Sequence, residues 1–322
     1  MDGRTVNTVL GSVPVSDLGV IAANEALLSV LPGAQYAFDI PFDRADIFET
    51  IAPKLHAFKA AGGGTIVDST GMFAGRDLPL LEALSASTGV HVVASTGMGP
   101  EELLGGYFLT PQTNPPTPWP AERFADLFGK EITEGMVVPR VQRRAPAGLI
   151  VTEATRDGMT ATDESLLRGA ARAALQTGAA VSFRFGRSAV DEVQVALSEN
   201  LPAHRTRVAG VDRTGTDAIG LGKLGVNLGL DHVGLNEDPG HLTDAQRAEL
   251  ITTLIAAGCR DQILLSSSAI GVAKGLPPYD LPYSHLLTTF VPFLIGRGVS
   301  GEDVNHILTT NPARLLAITN QR

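Results

Sequence analysis

Short apolar runs rich in valine and isoleucine alternate along the chain with longer stretches in which apolar residues recur at helical spacing. The runs cover 19–23, 65–68, 90–95, 148–153, 180–185, 207–211, 225–231 and 262–266. Helical patterns cover 47–61, 78–87, 163–176, 190–199 and 244–257. Near-continuous apolar runs are what strands buried on both faces require, and a helix after most of them is the repeat of parallel βα units. Eight such runs predict a (β/α)8 TIM barrel. The helix ends agree. Thr162-Asp163-Glu164 and Thr243-Asp244 supply side-chain acceptors for a first turn, and Gly89, Gly178 and Gly258 stand where a helix ends before the next run. No Pro- or Ser-rich linker divides the chain and no short repeat appears, so a single barrel domain over 1–322 is expected. Segment 110–120, TPQTNPPTPWP, breaks the rhythm, because its five prolines exclude a helix. It reads as a surface loop, with a lid or partner contact anchored by the only tryptophan, Trp119, as the alternative.

Barrels of this kind do their chemistry at the C-terminal ends of the strands. The residues closing each run are therefore the candidate site: Asn24-Glu25-Ala26, Asp68-Ser69-Thr70, Thr152-Glu153, Arg184, Val211-Asp212, Asp231-His232 and Ser266-Ser267-Ser268. Histidine changes charge near neutral pH, which suits His232 to proton transfer. Asp212, the acid nearest the end of the sixth run, is its expected partner. Arg184 offers a planar fork for a carboxylate, and Glu153 on the neighbouring run is expected within hydrogen-bond reach of it. The bland alternative is a structural ion pair at the mouth and fold-keeping residues at the strand ends. A serine nucleophile needs an adjacent base. No Gly-x-Ser-x-Gly elbow surrounds 266–268, but a Ser268–His232 pair stays open because their runs are neighbours. Gly220-x-Gly222-x-x-Gly225 runs into a strand instead of following one, so it does not read as a dinucleotide site. The other histidines and Cys259 receive no role.

Charge narrows the partners. Lys and Arg number 25 against 34 Asp and Glu, a net charge of −9, which argues against nucleic acid or an anionic membrane. One cysteine permits neither an internal disulfide nor a thiolate zinc cage. The start lacks the pattern of a secretory signal, and no run of about 18 apolar residues exists. A cytoplasmic protein acting on a small, anionic molecule is expected, and a homodimer is left open.

Several of these segments, in order, resemble the phosphotriesterase-like family of the amidohydrolase superfamily over nearly the whole chain. They include Thr8-Val9-Leu10-Gly11, Asn24-Glu25-Ala26-Leu27, Gly64-Thr65-Ile66-Val67-Asp68 with Gly75-Arg76-Asp77, Gly229-Leu230-Asp231-His232 and Asn311-Pro312-Ala313-Arg314-Leu315. The resemblance implies two divalent metals held by a His-x-His on strand 1, a carboxylated lysine or glutamate on strand 4, histidines on strands 5 and 6 and an aspartate on strand 8. On this chain those positions fall on Asn24-Glu25-Ala26, Glu153, Arg184, Val211 and Ser268. Ala26 and Val211 offer no donor atom, and a guanidinium repels a cation, so no binuclear centre and no cofactor are expected.

Without metals the route to hydroxide at neutral pH is lost. The expectation is a metal-independent small-molecule enzyme: a lyase, an isomerase or cyclase, or a hydrolase of easy esters and lactones, with phosphotriester hydrolysis disfavoured. His232, Asp212 and Glu153 are the expected catalytic residues. Arg184, Asp231, Ser268 and Asn24 are the expected substrate contacts. A non-catalytic ligand- or protein-binding homologue is the alternative, and a single metal on Glu153, Asp212, His232 or Asn24 is a third reading.

Overall fold

The computed structural model describes residues 3–104, 119–138, 142–277 and 279–318. The apolar runs become nine strands of one parallel sheet: β1 (Val20–Val30), β2 (Gly63–Asp68), β3 (His91–Met98), β4 (Leu149–Glu153), β5 (Val181–Arg184), β6 (Thr206–Ala209), β7 (Asn227–Leu230), β8 (Ile263–Leu265) and β9 (Ile270–Lys274). Strands β1 to β8 pair in sequence order, and β9 continues β8 to pair with β1, Ile270 opposite Ala26 and Lys274 opposite Val30. The Ala26 N–H also donates to the Ala269 carbonyl at 3.0 Å. These bonds close the sheet into the TIM barrel, and closure removes the free edges that an open sheet would expose.

Two departures from the sequence reading matter for the site. The first strand runs on through Asn24, Glu25 and Ala26 to Val30, with a break in its register against β2 between Ala22 and Glu25. The eighth run yields β8, and a further strand that it did not include, β9, follows after 266–269. Of the proline-rich segment, 110–118 lie outside the described residues. The Trp119 ring packs on Phe124 at 5.4 Å, and the Arg123 guanidinium sits 3.6 Å over its centre.

Helices α1 (Arg44–Ala60), α2 (Leu78–Thr88), α3 (Ala121–Thr133), α4 (Ala161–Thr177), α5 (Ala189–Ser198), α6 (Ala218–Lys223) and α7 (Asp244–Ala256) ring the sheet. At α4 the cap is Thr160 and not the expected Thr162, which lies inside the first turn: Thr160 and Asp163 form a reciprocal box, and Thr243 and Gln246 form one at α7 as expected of Thr243. Gly89 and Gly178 end α2 and α4 in the left-handed conformation. Helix α6 precedes β7, so the glycines of 220–225 do not open a helix after a strand. Helices α3 and α4 approach closely because position 169 is glycine: a Cβ there would stand 2.5 Å from the Phe124 Cβ.

Alternation along the strands divides the core. One set of side chains, including Ile66, Ile150, Phe183, Val208 and Leu228, packs outward on the helices. Ile21, Val67, Val93, Leu149, Ala180 and Leu264 fill the inside of the barrel together with Leu315 and Leu316 from the C-terminal helix Asn311–Leu316. Nearer the C-terminal ends of the strands the interior turns polar. Arg207 is wholly buried there, donating to Ser182 Oγ at 2.7 Å and to the Asp231 carboxylate.

Gly229 lies against this ion pair: a Cβ would stand 2.5 Å from the Arg207 guanidinium and 2.6 Å from Asp231 Oδ2. Both groups are pinned, so neither can move away cheaply. Gly229→Ala is expected to cost about 1–3 kcal/mol by overpacking, read as a lower urea midpoint with an unchanged slope. An unchanged midpoint would show that the pair has room to shift.

Candidate active site

A cavity of about 410 Å³ opens at the C-terminal ends of the strands. Asn24, Glu25, Ala26, Thr152, Glu153, Ser182, Arg184, Ala209, His232, Ser268 and Tyr279 are among the residues lining it. Strict alternation would send Glu25 to the face opposite Asn24 and Ala26. The register break in β1 brings all three to the cavity, as irregularities at strand ends re-aim side chains.

His232 follows β7 and is 9% exposed, its ring reaching the cavity. Its Nδ1 lies 2.8 Å from Asp212 Oδ1. Asp212 Oδ2 accepts the His232 backbone N–H at 2.9 Å and the Arg247 Nε–H at 2.7 Å, and Oδ1 also accepts the Asp231 N–H at 3.2 Å. Burial alone would raise the Asp212 pKa. Its bonds to His232 and Arg247 outweigh burial and hold the carboxyl well below the ordinary aspartate range. An ionised Asp212 accepts only, so the proton of His232 stays on Nδ1 and Nε2 is left with its lone pair. Asp212 is fully buried and does not line the cavity. The sequence places it among the catalytic residues; in the structure it stands behind His232 and meets the cavity only through that ring.

Asp231 also departs from expectation. It was read as a substrate contact, but it is fully buried beneath the cavity. Its carboxylate is taken by Arg207, by the Gly210 N–H at 2.8 Å and by Ser266 Oγ at 2.7 Å. Asp231 and His232 are consecutive, so their side chains leave opposite sides of the chain.

Glu153 and Arg184 stand opposite one another across β4 and β5. Their closest approach is 3.8 Å, too long for the expected hydrogen bond, and their side chains are 37% and 43% exposed. Both reach toward open solvent at the mouth, where such a contact is worth about 0–1 kcal/mol. Partial shielding of the Glu153 carboxyl from water by the protein around it raises its pKa, opposed by the positive charges of Arg184 and Arg213. Among the described residues the Arg184 guanidinium makes no hydrogen bond, so it is available to a ligand. A recess of about 300 Å³ continues the cavity past Glu153, Arg184 and His232 to Arg213 and His241. The His241 ring lies 3.9 Å from that of His232.

Asn24 and Ser268 meet directly, the Asn24 amide donating to Ser268 Oγ at 3.0 Å. Glu25, unassigned in the sequence reading, accepts the Ser267 N–H at 3.0 Å and the Ala269 N–H. Burial pushes its carboxyl up to about 8; the two N–H groups and Arg207 pull it down, and Asp231 pushes it up. Arg207, Arg247 and His241 were also missed. Arg247 sits on α7 and Arg207 inside β6, with no local pattern to mark either. Glu25 was adjacent to Asn24 in the sequence, and only the register break distinguishes it from a residue facing the helices.

The donors do not fit a binuclear metal centre. Ala26 and Ala209 line the cavity with methyl groups, Val211 is buried outside it, Arg184 brings a fixed positive charge, and Asn24 and Ser268 are bonded to each other. Among the described residues no group of three or more His, Cys, Asp or Glu is placed to hold a metal ion. No described helix is long and apolar enough to cross a membrane.

The model of the phosphotriesterase family matches residues 4–316. N-acetyltaurine hydrolase of Salmo salar is 25% identical over 352 residues, covering 97% of this chain and 97% of that one. Phosphotriesterase homology protein of Mycobacterium tuberculosis is 27% identical over 329 residues, covering 96% of this chain and 97% of that one. Among solved structures, a mutant of a phosphotriesterase-like lactonase from Deinococcus radiodurans superposes with a TM-score of 0.84 at 27% identity, over 97% of this chain and 99% of its own.

The raised pKa of Glu25 fixes a direction. Its ordinary value is 4.5 and its folded value about 8, so the folded state holds this proton more tightly than the unfolded chain. Folding stability contributed by this group is full below the ordinary value and is lost as pH rises toward 8. Urea melts from about pH 5 to about pH 9 should show wild-type stability falling relative to Glu25→Gln. Asp212 changes charge only in acid, below that window. A wild-type-to-variant difference that does not vary with pH would mean that Glu25 ionises normally.

Proposed function

The chain belongs to the phosphotriesterase family, and from that premise we propose that it hydrolyses an acyl bond, in a lactone, ester or amide, of a small molecule carrying an anionic group, without a metal. The observation that carries this reading is the His232–Asp212 pair, 2.8 Å apart, with the His232 ring lining the cavity. Relatives named N-acetyltaurine hydrolase and phosphotriesterase-like lactonase support hydrolysis over the lyase and isomerase readings.

In this reading His232 is the general base and then the general acid. It takes a proton at Nε2 from the attacking group and returns it to the leaving oxygen or nitrogen. Asp212 fixes the tautomer and stabilises the imidazolium that forms, and Arg247 keeps Asp212 ionised. Arg184 holds the anionic end of the substrate, since its guanidinium faces the cavity with free donors. The sulfonate in the substrate named for the Salmo salar relative is a group of this kind. Glu153 stands beside Arg184 at the mouth. Asn24 and Ser182 offer hydrogen bonds around the reacting carbonyl.

The test is turnover of a panel of lactones, p-nitrophenyl esters and N-acyl amino acids or amino sulfonates. His232→Ala should lower kcat by roughly 10²–10⁴-fold, the usual worth of a general acid–base. Arg184→Leu should raise KM by about tenfold or more for anionic substrates and leave neutral ones unchanged, since a charge-assisted hydrogen bond is worth about 1.5–3 kcal/mol. Activity should survive dialysis against a chelator, and elemental analysis should find no stoichiometric zinc, manganese or cobalt. Full turnover by His232→Ala, or turnover that disappears with chelation and returns with metal, would overturn the reading.

A further inference from the structure

Ser268 has φ 46°, inside the left-handed region that favours glycine. The other described non-glycine residue with positive φ is Asn200, a type that tolerates it. A serine in this conformation persists only where its surroundings over-determine it, and such residues gather at functional sites. The surroundings are on three consecutive residues of β1. Asn24 donates to Ser268 Oγ at 3.0 Å. Glu25 takes the N–H groups of Ser267 and Ala269 on either side. Ala26 donates its N–H to the Ala269 carbonyl at 3.0 Å. The Ala26 bond is part of the main-chain pairing that closes the barrel. The side-chain bonds of Asn24 and Glu25 around Ser268 are additional to it.

Three further facts bear on the hydroxyl. Its oxygen accepts from Asn24, so its own proton is free for another acceptor. His232 Nε2 is an acceptor of this kind, because Asp212 takes the ring proton on Nδ1. Both side chains line the same cavity at the adjoining ends of β7 and β8, where the Val233 N–H donates to the Ser266 carbonyl at 3.2 Å; the two side chains are not hydrogen-bonded to each other in this structure.

We propose that Ser268 is the nucleophile of a Ser268–His232–Asp212 triad and that hydrolysis passes through an acyl-serine. The proposal rests on the acyl-hydrolase reading above. Ser268 Oγ attacks the carbonyl carbon while its proton moves to His232 Nε2. The bond from that carbon to the leaving oxygen or nitrogen breaks, and His232 returns the proton to it. Water then adds to the acyl carbon as His232 takes its proton, the acyl–Oγ bond breaks, and the proton goes back to Ser268. Atoms and charge balance with water as the only co-reactant. Asp212 is the positioning residue throughout.

The probes are p-nitrophenyl acetate, phenylmethylsulfonyl fluoride and intact-mass spectrometry of the full chain. Wild type should release a burst of nitrophenol approaching one equivalent and carry one acetyl or one sulfonyl group, mapped to the peptide containing Ser268. Ser268→Ala should take no label and lose roughly 10²–10⁴-fold in kcat. Ser268→Cys should hold a longer-lived acetyl thioester, a gain that an unfolded variant would not show. His232→Ala should take no label. If Ser268→Ala turns over like wild type while His232→Ala does not, the nucleophile is overturned and the hydrolase reading stands, with water activated directly by His232. A label on any other residue also overturns the nucleophile. If no variant or wild type consumes any ester or takes any label, both readings fall.

Discussion

The carboxylate of Asp212 is the constraint around which this end of the barrel is arranged. It is fully buried and accepts from four donors: the N–H groups of Asp231 and His232, the His232 ring and Arg247. An ion in that position is tolerable only when all its bonds are made, because the interior offers no water to replace a missing donor. Saturation has two consequences. It fixes the chain that follows β7 at residues 231 and 232, so the imidazole has one orientation. It also joins α7 to the strand ends through Arg247, whose guanidinium holds Asp244 at 2.7 Å as well. Removing Asp212 would leave the buried Nε–H of Arg247 without its acceptor, and removing Arg247 would leave Asp212 with His232 as its one cationic partner.

Asp231 and Arg207 repeat the arrangement one layer lower. Asp231 gathers Arg207 from β6, the Gly210 N–H and Ser266 beyond β8, and Arg207 reaches Ser182 on β5. Such a network adds little net stability over a well-packed apolar core. It decides instead which polar groups remain free. Asp212, Asp231, Glu25 and Arg207 are occupied by the protein itself. Among the described residues, the groups still able to meet a ligand include the His232 ring, the Arg184 guanidinium and the hydroxyl of Ser268. Where the family resemblance implies metal ligands, Asn24 and Ser268 are bonded to each other, Ala26 and Val211 carry no donor, Arg184 carries a fixed positive charge, and Glu153 keeps a carboxylate.

The barrel was legible in the sequence because its signals are local and periodic. Runs of valine and isoleucine, helices of amphipathic spacing and capping residues each act over a few residues, and each found its element. His232, Asp212 and Arg184 were legible by position, since strand ends of a barrel converge whatever their sequence. The failures share another cause. Asp231 and His232 are neighbours in the chain, and no sequence pattern says which faces the ligand. Glu25 faces the cavity because β1 breaks register between Ala22 and Glu25. Glu153 and Arg184 are opposite in register, yet at an open mouth water competes for both, and they stay 3.8 Å apart.

By itself, then, the sequence determined the barrel, the polar end where its cavity opens, and the lack of donor atoms at 26 and 211, because donor atoms and strand ends are properties of residue type and order. Tertiary structure alone decided which charges are used up. Arg247 comes to Asp212 from 35 positions away and Ser266 to Asp231 from the same separation. Hydrogen-bond saturation in a buried site is a property of the assembled neighbourhood, and it, not the identity of any single residue, left His232, Arg184 and Ser268 facing the cavity.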